Sequence, residues 1–278
     1  MEGAALHVAG SLRRIGLRGA ASAIYRRILR RAPGYHRAQL GLARASLPGD
    51  DYIEVLAALH ASLRPRFYLE IGVSEGASLC LARPPTVAAG IDPCPRRLCH
   101  ALGAETAIFA ETSDAFFAAY DVRPQFAGRR VDLAFLDGLH SFEQTLRDFM
   151  NVERRAAPGA LVMVHDCLPS DAAAATRDTR GSFWAGDVWK LIPILATWRP
   201  DLELTPVGAC PTGLLAIRNL DPASGVLARA YDEIVAAFLA APFERFVREW
   251  RPRLAIVRSD AAAVARRLSA AAPTPARP

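Results

Sequence analysis

The middle of the chain alternates short apolar runs with amphipathic stretches. Phe67-Tyr68-Leu69-Glu70-Ile71 is an apolar run that ends at glycines, which predicts a strand and a tight turn. Val87–Ile91 predicts a second strand, ending at Asp92-Pro93, and residues 107–110 a third. Val131–Leu136, ending at Asp137-Gly138, and residues 160–164, ending at His165-Asp166, predict a fourth and a fifth. Helical periodicity is expected between them. It is clearest over 141–155, where Phe142, Leu146, Phe149 and Met150 share one face. Alternation of this kind predicts a doubly wound parallel sheet. Residues 202–207 and 214–217 are two further strands, and the link from Gly208 to Gly213 is too short for a crossover helix. That last pair must therefore be antiparallel.

The flanks read as helical. In residues 1–48, Ile24, Ile28 and Leu29 lie at helical spacing, Pro33-Gly34 breaks the helix, and a second helix is expected over 35–46. Tyr25, Leu29, Pro33, Ala38, Leu42 and Ala43 resemble one tetratricopeptide-repeat junction. A lone unit lacks the stacked neighbours that such repeats need, so a helical cap on the main domain is the expectation. Residues 221–278 carry a buried stripe of Val226, Leu227, Tyr231, Ile234, Val235 and Phe238, with a frayed, disordered tail over 270–278. The chain thus divides into a helical extension (1–48), an α/β domain (49–220) and a C-terminal helical extension (221–278).

Composition narrows the setting. The chain has 278 residues, 51% apolar and 22% charged, enough for one α/β core with an appendage. No apolar run is long enough to span a membrane as a helix. Lys190 is the sole lysine, and the abundance of Arg and Ala suggests a GC-rich bacterial genome. The cysteines (Cys80, Cys94, Cys99, Cys167 and Cys210) form no paired spacing, as expected of reduced thiols in a cytoplasm and not of a disulfide framework or zinc site. The Arg-rich start also fits a transit peptide, but the helical pattern runs past any plausible cleavage point. The net charge of +6 is unevenly spread. Residues 1–48 hold nine arginines and one acid, whereas residues 49–220 hold 16 basic and 21 acidic residues. No basic stripe with interleaved aromatics occurs in the α/β zone, so a nucleic-acid partner is not expected. The basic helical flanks instead invite self-association.

In open parallel sheets, ligands bind at the carboxyl ends of the strands. Glu70-Ile-Gly72-Val-Ser74-Glu75-Gly76 stands at the first such end, and Asp92, at the second, can accept ribose hydroxyls. The Gly-x-x-x-Gly spacing lacks the glycine triplet of a pyrophosphate loop, which disfavours an NAD-dependent oxidoreductase. Glu70 would repel a pyrophosphate and welcome a cation. A nucleoside with a positive centre, S-adenosylmethionine, fits both features.

Residues 49–220 resemble the class I SAM-dependent methyltransferases. They are closest in pattern to the small-molecule and sugar O-methyltransferases in which strand four ends in Asp-Gly-x-His. The residues that carry the resemblance are Leu136-Asp137-Gly138-Leu139-His140-Ser141-Phe142, Gly159 to His165-Asp166, and Gly186-Asp187-Val188-Trp189-Lys190. It implies a Rossmann-like seven-stranded sheet with a terminal antiparallel hairpin, and O-methylation of a small hydroxylated acceptor. It also implies cofactor contacts from Glu70, Gly72, Ser74, Gly76, Asp92, Ser113 and Asp114. Some members bind Mg²⁺ through carboxylates at the positions of Asp137 and Asp166, although His165 stands where relatives often carry a second carboxylate.

Asp137 and His140 are the candidate catalytic residues, with His140 as a general base of near-normal pKa. His165 is a candidate core hydrogen-bonding residue, Asp187 a cap for the helix after it, and Trp184 and Trp189 packing residues. A methyltransferase-like protein that binds without catalysing is the remaining alternative.

Overall fold

In the computed structural model, residues 2–99, 101–126, 128–178 and 184–270 are described. The expected disordered tail beyond residue 270 lies outside them. The chain begins with α1 (Glu2–Arg14), α2 (Arg18–Arg31) and α3 (His36–Ser46). These pack on one another around Ala9, Tyr25, Ile28, Ala38 and Leu42, a small core separate from those of the sheet. Gly41 faces the Tyr25 ring, and a methyl group there would overlap it.

The body follows with α4 (Tyr52–Leu63), β1 (Phe67–Ile71), β2 (Val87–Ile91), β3 (Glu105–Phe109), α5 (Ser113–Ala118), β4 (Val131–Leu136), α6 (Phe142–Arg154) and β5 (Ala156–His165). Next come α7 (Leu191–Trp198), β6 (Glu203–Gly208), β7 (Leu214–Arg218), α8 (Val226–Arg229), α9 (Tyr231–Phe238), α10 (Phe243–Glu249), β8 (Val257–Arg258) and α11 (Ala261–Ala270). The strand order is β3-β2-β1-β4-β5-β7-β6-β8. Strands β1 to β5 are mutually parallel, and β7 runs antiparallel to both β5 and β6. The antiparallel closing pair is as expected. The sheet has eight strands, not seven, because two residues from the C-terminal region join beside β6.

Alternation along each strand divides the interior. Phe67, Leu69, Ile71, Leu136 and Val162 face α6, α7 and the helices after β7. Tyr68, Leu133, Phe135, Leu161 and Met163 face α4 and α11. Near-continuous burial on both faces is what a helix-covered parallel sheet demands.

Two expected helices do not form. The β1–β2 crossover contains only a 3₁₀ turn (Leu79–Leu81), and residues 92–104 between β2 and β3 hold no helix among the described residues. Pro84 and Pro85 in the first link, and Pro93 and Pro95 in the second, deny helical backbone its donors and pre-proline geometry. Arg96-Arg97 therefore lies on an exposed loop.

Candidate functional site

The loop after β1 is held by its glycines and by Asp92. Gly72 has φ +91°, and a Cβ there would lie 1.9 Å from the Asp137 carbonyl oxygen, so only glycine lets the loops after β1 and β4 meet. Ser74 also takes a positive φ, 47°. Asp92 Oδ2 accepts from the Val73 and Ser74 N–H groups at 3.0 and 2.9 Å, and Oδ1 from Cys94 N–H at 2.8 Å. This carboxylate braces the glycine loop. Gly76 lies against the Leu98 side chain.

Glu70 is fully buried beneath that loop, not at its mouth. Tyr68 donates its hydroxyl to Glu70 Oε2 at 2.5 Å, and Ser78 donates to Oε1 at 2.8 Å. Burial pushes the carboxyl up to about 8 against these two hydrogen bonds.

Ser113 and Asp114 open α5, which Thr112 caps by accepting from Ala115 N–H at 3.3 Å. Both accept from Gln144 Nε2, at 3.1 and 3.2 Å, and Gln144 also donates to the buried Asp148 at 2.9 Å. Burial lifts Asp148 to about 6. These two residues thus belong to a network anchored on α6.

The densest chemistry lies where β4 and β5 end. Asp137, His140 and Asp166 each offer a ligand atom, and those atoms lie within 4.8 Å of one another. His140 Nε2 is 3.3 Å from Asp137 Oδ1, and Nδ1 is 3.1 Å from Asp166 Oδ2. His165 Nδ1 is 3.1 Å from the same Asp137 oxygen. His140 and Asp166 hold positive φ values of 57° and 63°, backbone conformations that most residues avoid.

Charge then sets the protonation. Burial disfavours a charged His140, but Asp166 and then Asp137 more than offset it and push the imidazole up to about 9. The expected near-normal pKa is therefore corrected: this ring carries a proton at neutral pH while both carboxylates face it. His165 is raised by the same two acids. Burial works against ionised Asp137, yet the two imidazoles hold it well below the usual carboxylate range.

Several residues of this cluster had no sequence signal. Tyr52, the first residue of α4, lays its ring 4.3 Å from that of His165. Thr212, in the β6–β7 link, donates to Asp166 Oδ1 at 2.5 Å. Trp184 stacks on His140 at 5.0 Å and 25°, and its carbonyl oxygen lies 3.1 Å from His140 Nδ1. It is thus part of the site, whereas Trp189 packs on Phe243 and Phe246 in the core. Asp187 caps a helix, but not its own: Oδ1 accepts from Phe142 N–H at the start of α6, while Oδ2 accepts from Lys190 Nζ and Arg177.

Asp166 Oδ2 is buried and makes no hydrogen bond among the described residues, its one charged neighbour being His140 Nδ1 at 3.1 Å. A carboxylate oxygen without a hydrogen bond, beside a second carboxylate and an imidazole, is a donor set suited to a divalent cation. The residues present therefore fit a metal, with His140 an additional donor that the sequence pattern did not assign.

Residues 69–167, about a third of the chain, match a family model described as a methyltransferase domain. The span runs from the middle of β1 to the residue after Asp166. No curated protein matches the chain. Among solved structures, it is similar to the O-methyltransferase TomG from Streptomyces achromogenes, involved in tomaymycin synthesis and solved with SAM. Identity is 19%, the TM-score 0.45, and coverage 60% of this chain and 78% of that one. An O-methyltransferase from Bacillus cereus in complex with SAH aligns at 15% identity and TM-score 0.45, covering 64% and 86%. A cofactor-bound MTB protein, Rv0187, aligns at 21% identity and the same TM-score, covering 65% and 87%. No helix among the described residues is long and apolar enough to cross a membrane.

Proposed function

We propose that this chain, whose residues 69–167 match the methyltransferase-domain family model, transfers a methyl group from S-adenosylmethionine to a hydroxyl oxygen of a small acceptor such as a sugar or natural-product intermediate. The observation that carries the reading is that the matched segment contains the glycine loop, Asp92 and both carboxyl strand ends that hold Asp137, His140 and Asp166. The carboxylates of Asp92 and Asp137 at the edges of the loop suit a sulfonium.

When bound, the cofactor supplies a methyl group on a positively charged sulfur, and transfer neutralises that charge. The chain's own residues align the partners and manage the acceptor proton. Gly72 lets the cofactor loop touch the Asp137 backbone, so donor and acceptor sides share one rigid edge. The His140 imidazole, once it has lost its proton to solvent, is placed to accept the acceptor hydroxyl's proton, with Asp137 and Asp166 stabilising the imidazolium that forms. Trp184 holds the ring in plane. Asp137 and Asp166 would hold a divalent cation such as Mg²⁺, which would lower the pKa of a bound hydroxyl and leave the His140 imidazole as the base.

Calorimetric titration with S-adenosylhomocysteine tests the reading. Binding by the intact chain is expected, with no heat from NADH. Stabilisation by NADH alone would overturn it.

A further inference from the structure

Between the helices α1–α3 and the body lie two open pockets that share Arg18. The first, about 280 Å³, is lined by Arg13, Arg18, Arg44, Asp51, Glu54 and Cys210 among others. The second, about 470 Å³, is lined by Arg18, Ser22, Arg26, Ser46, Ser170 and Arg251 among others. Together they bring five guanidinium groups to one cleft.

None of the five arginines has a carboxylate within ion-pair distance among the described residues. Two acids also line the first pocket, so three guanidiniums face two carboxylates there, whereas no acid among the described residues lines the second. Asp51 accepts from Glu54 N–H, and Glu54 accepts from Asp51 N–H, in the capping box of α4. Burial and the facing charge of Arg26 lower the pKa of Arg251, a sign of like charges held together. Arg251 does donate to the Pro169 carbonyl oxygen at 2.9 Å, which fixes its position. The guanidiniums outnumber the carboxylates, most clearly in the second pocket, and a multivalent anion would relieve the remaining repulsion.

The cleft also borders the catalytic cluster. Cys210 lines the first pocket, and Thr212, two residues on, donates to Asp166. Tyr52 N–H donates to the Cys210 carbonyl oxygen, and the Tyr52 ring lies on His165. Ser170, which lines the second pocket, follows Asp166 on the same loop.

We propose that this cleft binds a phosphate or diphosphate group on the methyl acceptor, so that the substrate is a phosphorylated or nucleotide-linked hydroxylated molecule. The acceptor role rests on the methyl-transfer reading above; the anion site does not. Guanidinium forks match phosphate oxygens two at a time, and three serines add neutral donors. A single carboxylate would leave most of the positive charge uncompensated.

Isothermal titration of the full chain with inorganic pyrophosphate, at about 0.15 M salt, tests the site. Saturable binding is expected, weakened about tenfold or more by Arg18→Ala and by Arg44→Ala and partly restored by Arg18→Lys. S-adenosylhomocysteine binding should be the same in every variant. No pyrophosphate binding, or binding indifferent to both alanine variants, overturns the proposal. So does a single-stranded oligonucleotide that binds through these arginines more tightly than pyrophosphate. If pyrophosphate binds and S-adenosylhomocysteine does not, the methyl-transfer reading falls and the cleft stands; the converse result removes the cleft alone.

Discussion

Gly186 is pressed against the backbone of His140: a Cβ at position 186 would lie 1.8 Å from the His140 carbonyl oxygen. The same oxygen accepts from Asp187 N–H at 3.2 Å. The loop that carries Trp184 is thereby locked to the loop that carries the imidazole. Gly186 also has φ +60°, so a side chain there meets both backbone strain and a clash. Gly186→Ala is expected to lower stability by about 1–3 kcal/mol and to displace His140. Thermal unfolding measures the first effect, and the imidazole resonances in NMR report the second.

Glu70 predicts a pH signature with a definite sign. Its folded pKa, about 8, lies above the ordinary 4.5. The folded state therefore holds a proton that the unfolded state has lost between those values. Stability from this group is complete below about pH 4.5, declines as pH rises, and is lost once pH passes about 8. Glu70→Gln removes the titration while keeping both neighbours hydrogen-bonded. The difference between wild type and variant should thus shift in favour of the variant from pH 5 to pH 8 in denaturant titrations. A flat difference would refute the burial argument.

The same group links protons to ligand binding. A cation placed above Glu70 favours its ionised form, so binding S-adenosylmethionine near pH 7 should release a proton. The calorimetric heat would then vary with the buffer's ionisation enthalpy in wild type and not in Glu70→Gln.

Arg199 carries a structural prediction away from the site. Its side chain is almost fully buried, holds both oxygens of buried Glu153 at 2.8 Å and also pairs with Asp201. Arg199→Ala leaves Glu153 buried without its cation and should cost about 3–5 kcal/mol. The double variant with Glu153→Met should recover part of that loss. Chemical denaturation of the two variants separates the pair from simple packing.

Asp187 offers a fifth test. Replacing it with alanine removes the cap on α6 and strands the Lys190 ammonium, which is buried and otherwise bonded to the Leu239 carbonyl oxygen. The cap alone is worth about 1 kcal/mol, so a larger fall in stability measures the uncompensated lysine. Asp187→Ala with Lys190→Met should leave only the smaller cost.

The sheet was legible because its strands are buried on both faces and therefore read as continuous apolar runs. Phe67–Ile71, Val87–Ile91 and Val131–Leu136 are found where the pattern predicts them. The antiparallel pair followed from the length of its link alone. The missing crossover helices are a different case. A parallel connection needs a certain length of chain, not a particular conformation, and prolines in both links select loops. β8 is two residues long and exists only through its partner β6, so no local pattern announces it. At the site, Asp137, His140 and Asp166 were readable from strand ends, because topology alone brings such ends together. Tyr52, Thr212 and Trp184 lie far from them in sequence and reach the cluster through tertiary packing. The buried position of Glu70 was equally hidden, since strand alternation does not say which loop will close over a side chain.

The junction of α3 with the body is fastened by the far end of the chain. Gly49 takes φ +131°, and a Cβ there would meet the Ser259 carbonyl oxygen at 2.0 Å. Ser259 Oγ donates to the Asp50 carbonyl oxygen, and Ala261 N–H donates to Asp50 Oδ2. α11 then packs along α4. The helices α1–α3 share a small core of their own and can collapse on it through local contacts. Their anchorage to the body needs residues near 260, so the arginine cleft cannot be completed before that distant segment has folded against Gly49 and Asp50.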